Sequence, residues 1–113
     1  MTINERTVGA VRVFDLGGQL TLGPGGSELL TDKVRSVLQQ GEKRMLLNLR
    51  DVTYMDSAGL GALVQSFATV TRQGGRLKLV NTTARLQDLL TITKLATVFE
   101  MFDTEPAAIA SFS

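Results

Sequence analysis

A serine beside an aspartate, at the junction of a predicted strand and a predicted helix, is the feature of this chain best suited to chemistry. The junction reads Asp56-Ser57-Ala58-Gly59-Leu60. The apolar run Met45–Leu49 before it is typical of a buried strand, and apolar residues at helical spacing follow it until two glycines at 74 and 75. Free backbone N–H groups and the positive end of the helix dipole then face Ser57. A phosphate on this hydroxyl is therefore compatible with the helix.

Ser57 could instead be a catalytic nucleophile, since hydrolases place a serine in a G-x-S-x-G turn between a strand and a helix. The first glycine of that motif is Met55 here, and the chain has no histidine and no cysteine. A neutral hydroxyl is a poor nucleophile without a neighbouring base. Lys43 and Lys78 remain as bases, but no motif connects them to Ser57. We therefore expect no enzyme, no catalytic residues, no cofactor and no metal site.

A glycine-rich segment earlier in the chain has the composition of a phosphate-binding loop: Gly23-Pro24-Gly25-Gly26-Ser27. No Lys-Ser or Lys-Thr pair follows it, and no strict G-x-G-x-x-G is present, so the residues that hold a nucleotide are missing. We expect a loop that leads into a helix with Ser27 near its N-cap.

The simplest alternative for Asp56 and Ser57 is a helix cap, because both side chains accept hydrogen bonds from free N–H groups. The composition of the helix argues for more. Its non-core face is small and weakly charged, namely Ala58, Gly61, Ala62, Gln65, Ser66 and Thr69. An interior glycine costs a helix about 1 kcal/mol relative to alanine, and small side chains let a partner approach closely. We expect a partner to contact Asp56, Ser57, Ala58, Gly59, Gly61, Ala62 and Gln65, with burial of this face inside the domain as the alternative.

Hydrophobic spacing predicts the elements that position this corner. Strands are expected at 7–16, 44–49, 76–80 and 97–102, with a short extended piece at 19–22 after a Gly17-Gly18 turn. Helices are expected at 28–40 and at 58–72. A third helix is expected to follow the N-cap candidates at 81–83, and a short fourth helix is expected to begin at Pro106. Such alternation implies right-handed crossovers and a largely parallel or mixed sheet. The chain is therefore predicted to be one α/β domain over residues 1–113.

The amino-acid composition, the net charge and the lengths of the apolar runs exclude several classes of function. The 113 residues are 43% hydrophobic and 20% charged, as in an ordinary globular domain, with a net charge of +1. No stretch concentrates Lys and Arg with aromatic residues, so we expect no nucleic-acid binding. No apolar run reaches 18 residues, and the N-terminus lacks the apolar core of a signal peptide. We therefore expect no direct membrane insertion and a cytoplasmic location.

Three segments together carry a resemblance to a known family, namely Leu46–Leu49, Tyr54–Gly61 and Gly75–Asn81. The chain resembles a STAS domain and, more narrowly, the bacterial anti-sigma factor antagonists, from the strand around Val11 to Phe99. The resemblance implies a STAS-like fold, with a mixed four- to five-stranded sheet and helices mainly on one face, and no enzymatic activity. In that family the serine after the aspartate is the phosphorylation site, which corresponds to Ser57.

The resemblance also implies partner switching, a form of signal transduction in transcription regulation. The unmodified antagonist binds an anti-sigma factor that is also a serine kinase, and this frees the sigma factor. Phosphorylation by that kinase ends the binding, and a metal-dependent serine phosphatase restores it. The alternative within the same fold is a non-switching interaction subunit of a stress-signalling, lipid-transport or anion-transport complex, in which Ser57 is only a cap.

The chain departs from the family pattern at three places away from Ser57. Asn48 stands where an aspartate is common, and residues 81–84 replace a usual Ser-Pro helix start. Lys94 replaces a glycine at the end of the third helix. A lysine at position 94 is strained if the backbone there needs a positive φ angle.

Overall fold

Five strands form one mixed sheet, and the computed structural model describes all 113 residues. In the order in which they lie side by side, the strands are β1 (Thr2–Val8), β2 (Val11–Leu20), β3 (Arg44–Met55), β4 (Arg76–Val80) and β5 (Met101–Phe102). Strand β1 pairs antiparallel with β2, and all other neighbours are parallel. The helices are α1 (Ser27–Gln39), α2 (Ser57–Arg72), α3 (Ala84–Ile92) and α4 (Glu105–Ala110), with a 3₁₀ turn at Leu95–Thr97.

The parallel connections place the starts of three helices at one edge of the sheet. Strands β2, β3 and β4 point the same way, and each leads into a helix that returns the chain to the opposite edge. The carboxyl ends of these strands and the N-termini of α1, α2 and α3 therefore lie together, where α/β folds usually bind their ligands. We call this side of the molecule the carboxyl edge.

Two apolar clusters hold the helices on the two faces of the sheet. The main cluster of 19 buried residues joins strand residues such as Leu47 and Leu79 to helix residues such as Leu30, Leu63 and Leu90. A second cluster, on the other face, contains Val11, Val13, Leu46, Val80, Ala108 and Phe112. Side chains alternate between the faces of a strand, which is why neighbours on β3 belong to different clusters. Three helices cover one face and the short α4 covers the other, as expected.

Most of the predicted elements in the middle of the chain are confirmed, but the strand expected at 44–49 continues to Met55 as β3, because its last residues pair with the end of β2. The helices expected at 28–40 and 58–72 and the strand at 76–80 agree with α1, α2 and β4 to within one residue. Thr83 caps α3 by accepting a hydrogen bond from the Leu86 backbone N–H at 3.3 Å. Ser27 differs slightly from its predicted role, because Gly26 occupies the cap position and Ser27 is the first helical residue.

The prediction for the N-terminal region was partly wrong. The single strand expected at 7–16 is two strands, divided by a turn in which Gly9 has a φ of +60°. Residues 2–8 form an edge strand that the sequence analysis missed, because its polar side chains lack a buried face. The turn expected at Gly17-Gly18 is wrong as well, since both glycines lie within β2 at an irregularity of the register with β3.

The strand expected at 97–102 is also much shorter than predicted. Only Met101 and Phe102 pair with β4, because the 3₁₀ turn occupies the chain just before them. Lys94 begins that turn with a φ of +63°, the conformation in which a lysine is strained. No helix of the structure is both long and apolar enough to span a membrane.

Candidate functional site

The junction of β3 and α2 forms the predicted corner at the carboxyl edge. Strand β3 ends at Met55, and Asp56 takes an extended backbone conformation before the first helical residue, Ser57. One carboxylate oxygen of Asp56 accepts a hydrogen bond from the Gly59 backbone N–H at 2.8 Å. Aspartate is therefore the N-cap, and the serine is left with no capping task.

Asp56 also joins the corner to the loop that follows β2. Its second carboxylate oxygen accepts a hydrogen bond from the Leu22 backbone N–H at 3.0 Å, and its own N–H donates to the Leu20 carbonyl at 3.3 Å. The hydrogen bond from the Gly59 N–H, and to a smaller extent the one from the Leu22 N–H, stabilise the ionised carboxylate and hold the pKa of Asp56 below its ordinary value. The corner therefore carries a negative charge at neutral pH.

The Ser57 hydroxyl is accessible from solvent. The residue is exposed, and its hydroxyl enters none of the side-chain hydrogen bonds of the domain. Ser66, nine residues further along the same helix, is only 2% exposed and has no hydrogen-bond partner. The two serines of α2 thus differ in access, and only Ser57 can meet a modifying enzyme in the folded state.

The structure supplies no base for a nucleophilic Ser57. Lys78 lies under α4, where its ammonium donates to the carbonyl and hydroxyl oxygens of Ser111 at 3.0 and 2.9 Å and pairs with Glu100 at 2.8 Å. Lys43 lies before the start of β3, at the end of that strand opposite to Ser57. The carboxylate of the adjacent Asp56 accepts hydrogen bonds from the Gly59 and Leu22 backbone N–H groups and makes no hydrogen bond to the Ser57 hydroxyl. No three Asp or Glu side chains converge as a metal site either.

The predicted partner-contact residues divide into two groups. Asp56, Ser57, Ala58, Gly61 and Gln65 are exposed or half-buried. Gly59 and Ala62 are buried instead, because their side of α2 packs inside the domain. A Cβ atom added to Gly59 would collide with the Leu20 carbonyl oxygen, so this glycine is needed for packing. Ala62, although only 4% exposed, still lines a surface depression with Ala58 and Gly61, and contact of Gly59 or Ala62 with a partner stays a prediction.

Leu22 belongs to the same surface, and the sequence analysis did not identify it. The side chain is 77% exposed, and it lines an open depression with Ala58, Gly61 and Gln65. The sequence does contain a signal for this exposure: Leu22 stands directly before a run of turn-forming glycines, and a residue in such a loop has no helix or strand to bury its side chain.

Comparisons with known proteins agree with this architecture. The family model of the STAS domain matches residues 2–108. The anti-sigma-B factor antagonist of Bacillus subtilis is 41% identical over 73 residues, which are 65% of this chain and just under two thirds (66%) of that protein.

Solved structures show the same fold. The crystal structure of the Thermotoga maritima protein TM1081 has a TM-score of 0.88 at 24% identity and covers 96% of this chain and 92% of its own. The Bacillus cell fate determinant SpoIIAA in its phosphorylated form has a TM-score of 0.77 at 22% identity and covers 99% of this chain and all of its own. The match to the family model extends over almost every element described above, and the chain belongs to the STAS domain family.

Proposed function

We propose that this protein is an anti-sigma factor antagonist that is switched by phosphorylation of Ser57. In its unphosphorylated state it binds an anti-sigma factor that is also a serine kinase, and so releases the sigma factor. The observation that carries the proposal is the exposed Ser57 hydroxyl at the start of α2, beside an ionised Asp56 that already serves as the cap. The relative at 41% identity, named as an anti-sigma-B factor antagonist, supports the same role.

A phosphate at this position changes the partner surface more than the fold. It adds about −1.5 to −2 charges at neutral pH, next to the carboxylate of Asp56. The positive end of the α2 dipole stabilises the added charge, so the helix stays formed. A partner packed against the small residues Ala58 and Gly61 would instead bury the phosphate beside a second negative charge. Phosphorylation therefore favours dissociation.

The proposed cycle needs two other proteins, and no catalysis by this one. The kinase activity of the anti-sigma factor adds the phosphate to Ser57, and a serine phosphatase removes it. The protein acts as a regulatory binding subunit, and both partners meet it in the cytoplasm. Lys78 is bound under α4 and the Asp56 carboxylate accepts hydrogen bonds from two backbone N–H groups, which agrees with a Ser57 that is a substrate of other enzymes.

The proposal is tested by measuring the affinity of Ser57→Asp for the partner. Immobilised wild-type protein captures the anti-sigma factor from a lysate of the source organism, and the captured kinase is then purified for calorimetric titration. We expect Ser57→Asp to bind 100- to 1,000-fold more weakly, a change of about 3–4 kcal/mol. Ser57→Ala, which keeps the corner neutral, is the matched control and is expected to bind like wild type.

Circular dichroism and thermal unfolding must show that both variants remain folded. Equal affinity of wild type and Ser57→Asp would contradict the proposal. It would instead favour a non-switching interaction subunit, in which Ser57 is only the first residue of the helix.

A further inference from the structure

Leu22 is presented to solvent by a loop that is held in place. The Ser27 N–H donates to the Thr21 carbonyl at 2.7 Å, and the Gly26 N–H donates to the Gly23 carbonyl at 3.1 Å. The Leu22 N–H itself is bound by the Asp56 carboxylate. The loop is thus fixed at both ends and in its middle, while the leucine side chain remains 77% exposed. A single exposed leucine is common on a protein surface, but this one borders an open depression together with Ala58 and Gly61, and such a grouping offers a contact surface to another molecule.

Gly61 is a glycine that the fold does not require. Its φ angle is not positive, and a Cβ atom added to it would meet no atom within 4 Å. A glycine inside a helix lowers helix stability relative to alanine. Gly59, one half-turn earlier, is different because its Cβ atom would collide with the backbone of β2. The open space above Gly61 therefore lies outside the domain, where a second molecule can pack against bare backbone.

Leu22 and Gly61 line the same depression beside Ser57. The lining carries a single charged side chain, Glu28, and its other residues are uncharged. The depression adjoins the Ser57 corner, because Ala58 lines it and the Leu22 N–H donates to the Asp56 carboxylate, so a protein that reaches the Ser57 hydroxyl from this side lies over it. A second copy of this chain fits less well, since its docking here would cover the serine that the kinase has to reach.

We infer that Leu22 is the apolar anchor of the interface with the anti-sigma factor kinase, and that Gly61 is the point of closest approach. The inference rests on the proposed function and names the surface that the partner recognises. The partner is expected to offer an uncharged recess that accepts the leucine side chain, next to the site that phosphorylates Ser57.

The test is a titration of the purified kinase with two variants of this surface. Leu22→Ala removes the anchor, and Gly61→Gln fills the open space without touching the domain. Each is expected to weaken binding at least tenfold. Ile92→Ala is the matched control, because Ile92 is equally exposed at 79% but lies at the far end of α3. It is expected to bind within twofold of wild type.

Failure of the inference and failure of the proposed function give different results. If Leu22→Ala and Gly61→Gln bind within twofold of wild type while Ser57→Asp does not bind, the anchor is wrong and the switch stands. If Ser57→Asp binds like wild type, the switch itself is wrong. Sedimentation of the isolated chain identifies a second copy as the occupant: a wild-type dimer that Leu22→Ala converts to a monomer would overturn the inference.

Discussion

The face of the sheet under α4 and the carboxyl edge use their polar groups in opposite ways. Under α4, the Arg6 guanidinium donates to Asp15 at 2.6 and 3.0 Å and to Glu105, while Lys78 binds Glu100 and Ser111. Each of these charges is paired: Arg6 joins β1 to β2 and to α4, and Lys78 joins β4 to the end of α4 and to the loop before β5. At the carboxyl edge the Asp56 carboxylate is bound by two backbone N–H groups, whereas the Ser57 hydroxyl makes no hydrogen bond within the domain.

This difference separates groups that hold the fold from groups that remain available to partners. A paired charge under α4 cannot leave its partner without a cost to stability. The serine hydroxyl, the Leu22 side chain and the open backbone at Gly61 make no contribution of that kind. We therefore expect substitutions under α4 to change stability and substitutions at the corner to change binding.

The largest effect on stability is expected at Gly59, the corner residue that belongs to the fold. Gly59→Ala forces a methyl group against the Leu20 carbonyl and should lower the free energy of unfolding by about 3 kcal/mol. Gly61→Ala is the matched control and should raise it by about 0.5–1 kcal/mol, since the added Cβ meets open space. Urea denaturation measures both. If the two variants changed the free energy of unfolding by similar amounts, this would contradict the assignment of Gly59 to the packed side of α2 and of Gly61 to its open side.

A smaller loss is expected from Lys78→Ala. This removes a buried stem, its ammonium over the Phe112 ring at 4.7 Å, and the hydrogen bonds that hold the end of α4. The free energy of unfolding should fall by about 2 kcal/mol. Lys33→Ala is the control: it removes a half-exposed lysine that forms a 3.7 Å ion pair with Glu5, and it should change the free energy of unfolding by less than about 0.5 kcal/mol. Partner affinity of folded Lys78→Ala should match wild type, and a large loss of binding would place α4 in the interface.

The smallest effect concerns the dependence of stability on acid. The Arg6 guanidinium holds the pKa of Asp15 and of Glu105 below their ordinary values of 3.8 and 4.5. Because these values are lowered in the folded state, their stabilisation is complete above about pH 5 and is lost as the pH falls. Arg6→Met should therefore be less stable than wild type at pH 7, and the difference should narrow towards pH 2. A difference that stays constant over this range would show that Arg6 acts through packing alone.

The sequence predicted the central elements and the corner because strong local signals coincide there. The apolar run of β3 and the N-cap at Asp56 indicate where α2 begins, and the two glycines after it indicate where it ends. The edge strand β1 gave no such signal. Its residues become a strand only through antiparallel pairing with β2, and that pairing is not visible in the composition of residues 2–8.

The same reason explains which features of the corner were visible in the sequence. Ser57 and Asp56 follow from local capping preferences, which a short stretch of sequence contains. The division between Gly59 and Gly61 depends on which side of α2 meets β2, and two glycines two residues apart look alike until that contact is known. Leu22 joins the site through a hydrogen bond across 34 positions, which no local pattern indicates.

The central claim is tested most directly by finding where phosphate is attached. The purified protein is incubated with the captured anti-sigma factor kinase and ATP, and modified peptides are located by mass spectrometry. We predict one phosphate on Ser57, none on the buried Ser66 or on the exposed Ser36 within α1, and none at all on Ser57→Ala. A Ser57 that stays unmodified while the kinase binds, or a phosphate on another serine, would contradict the account.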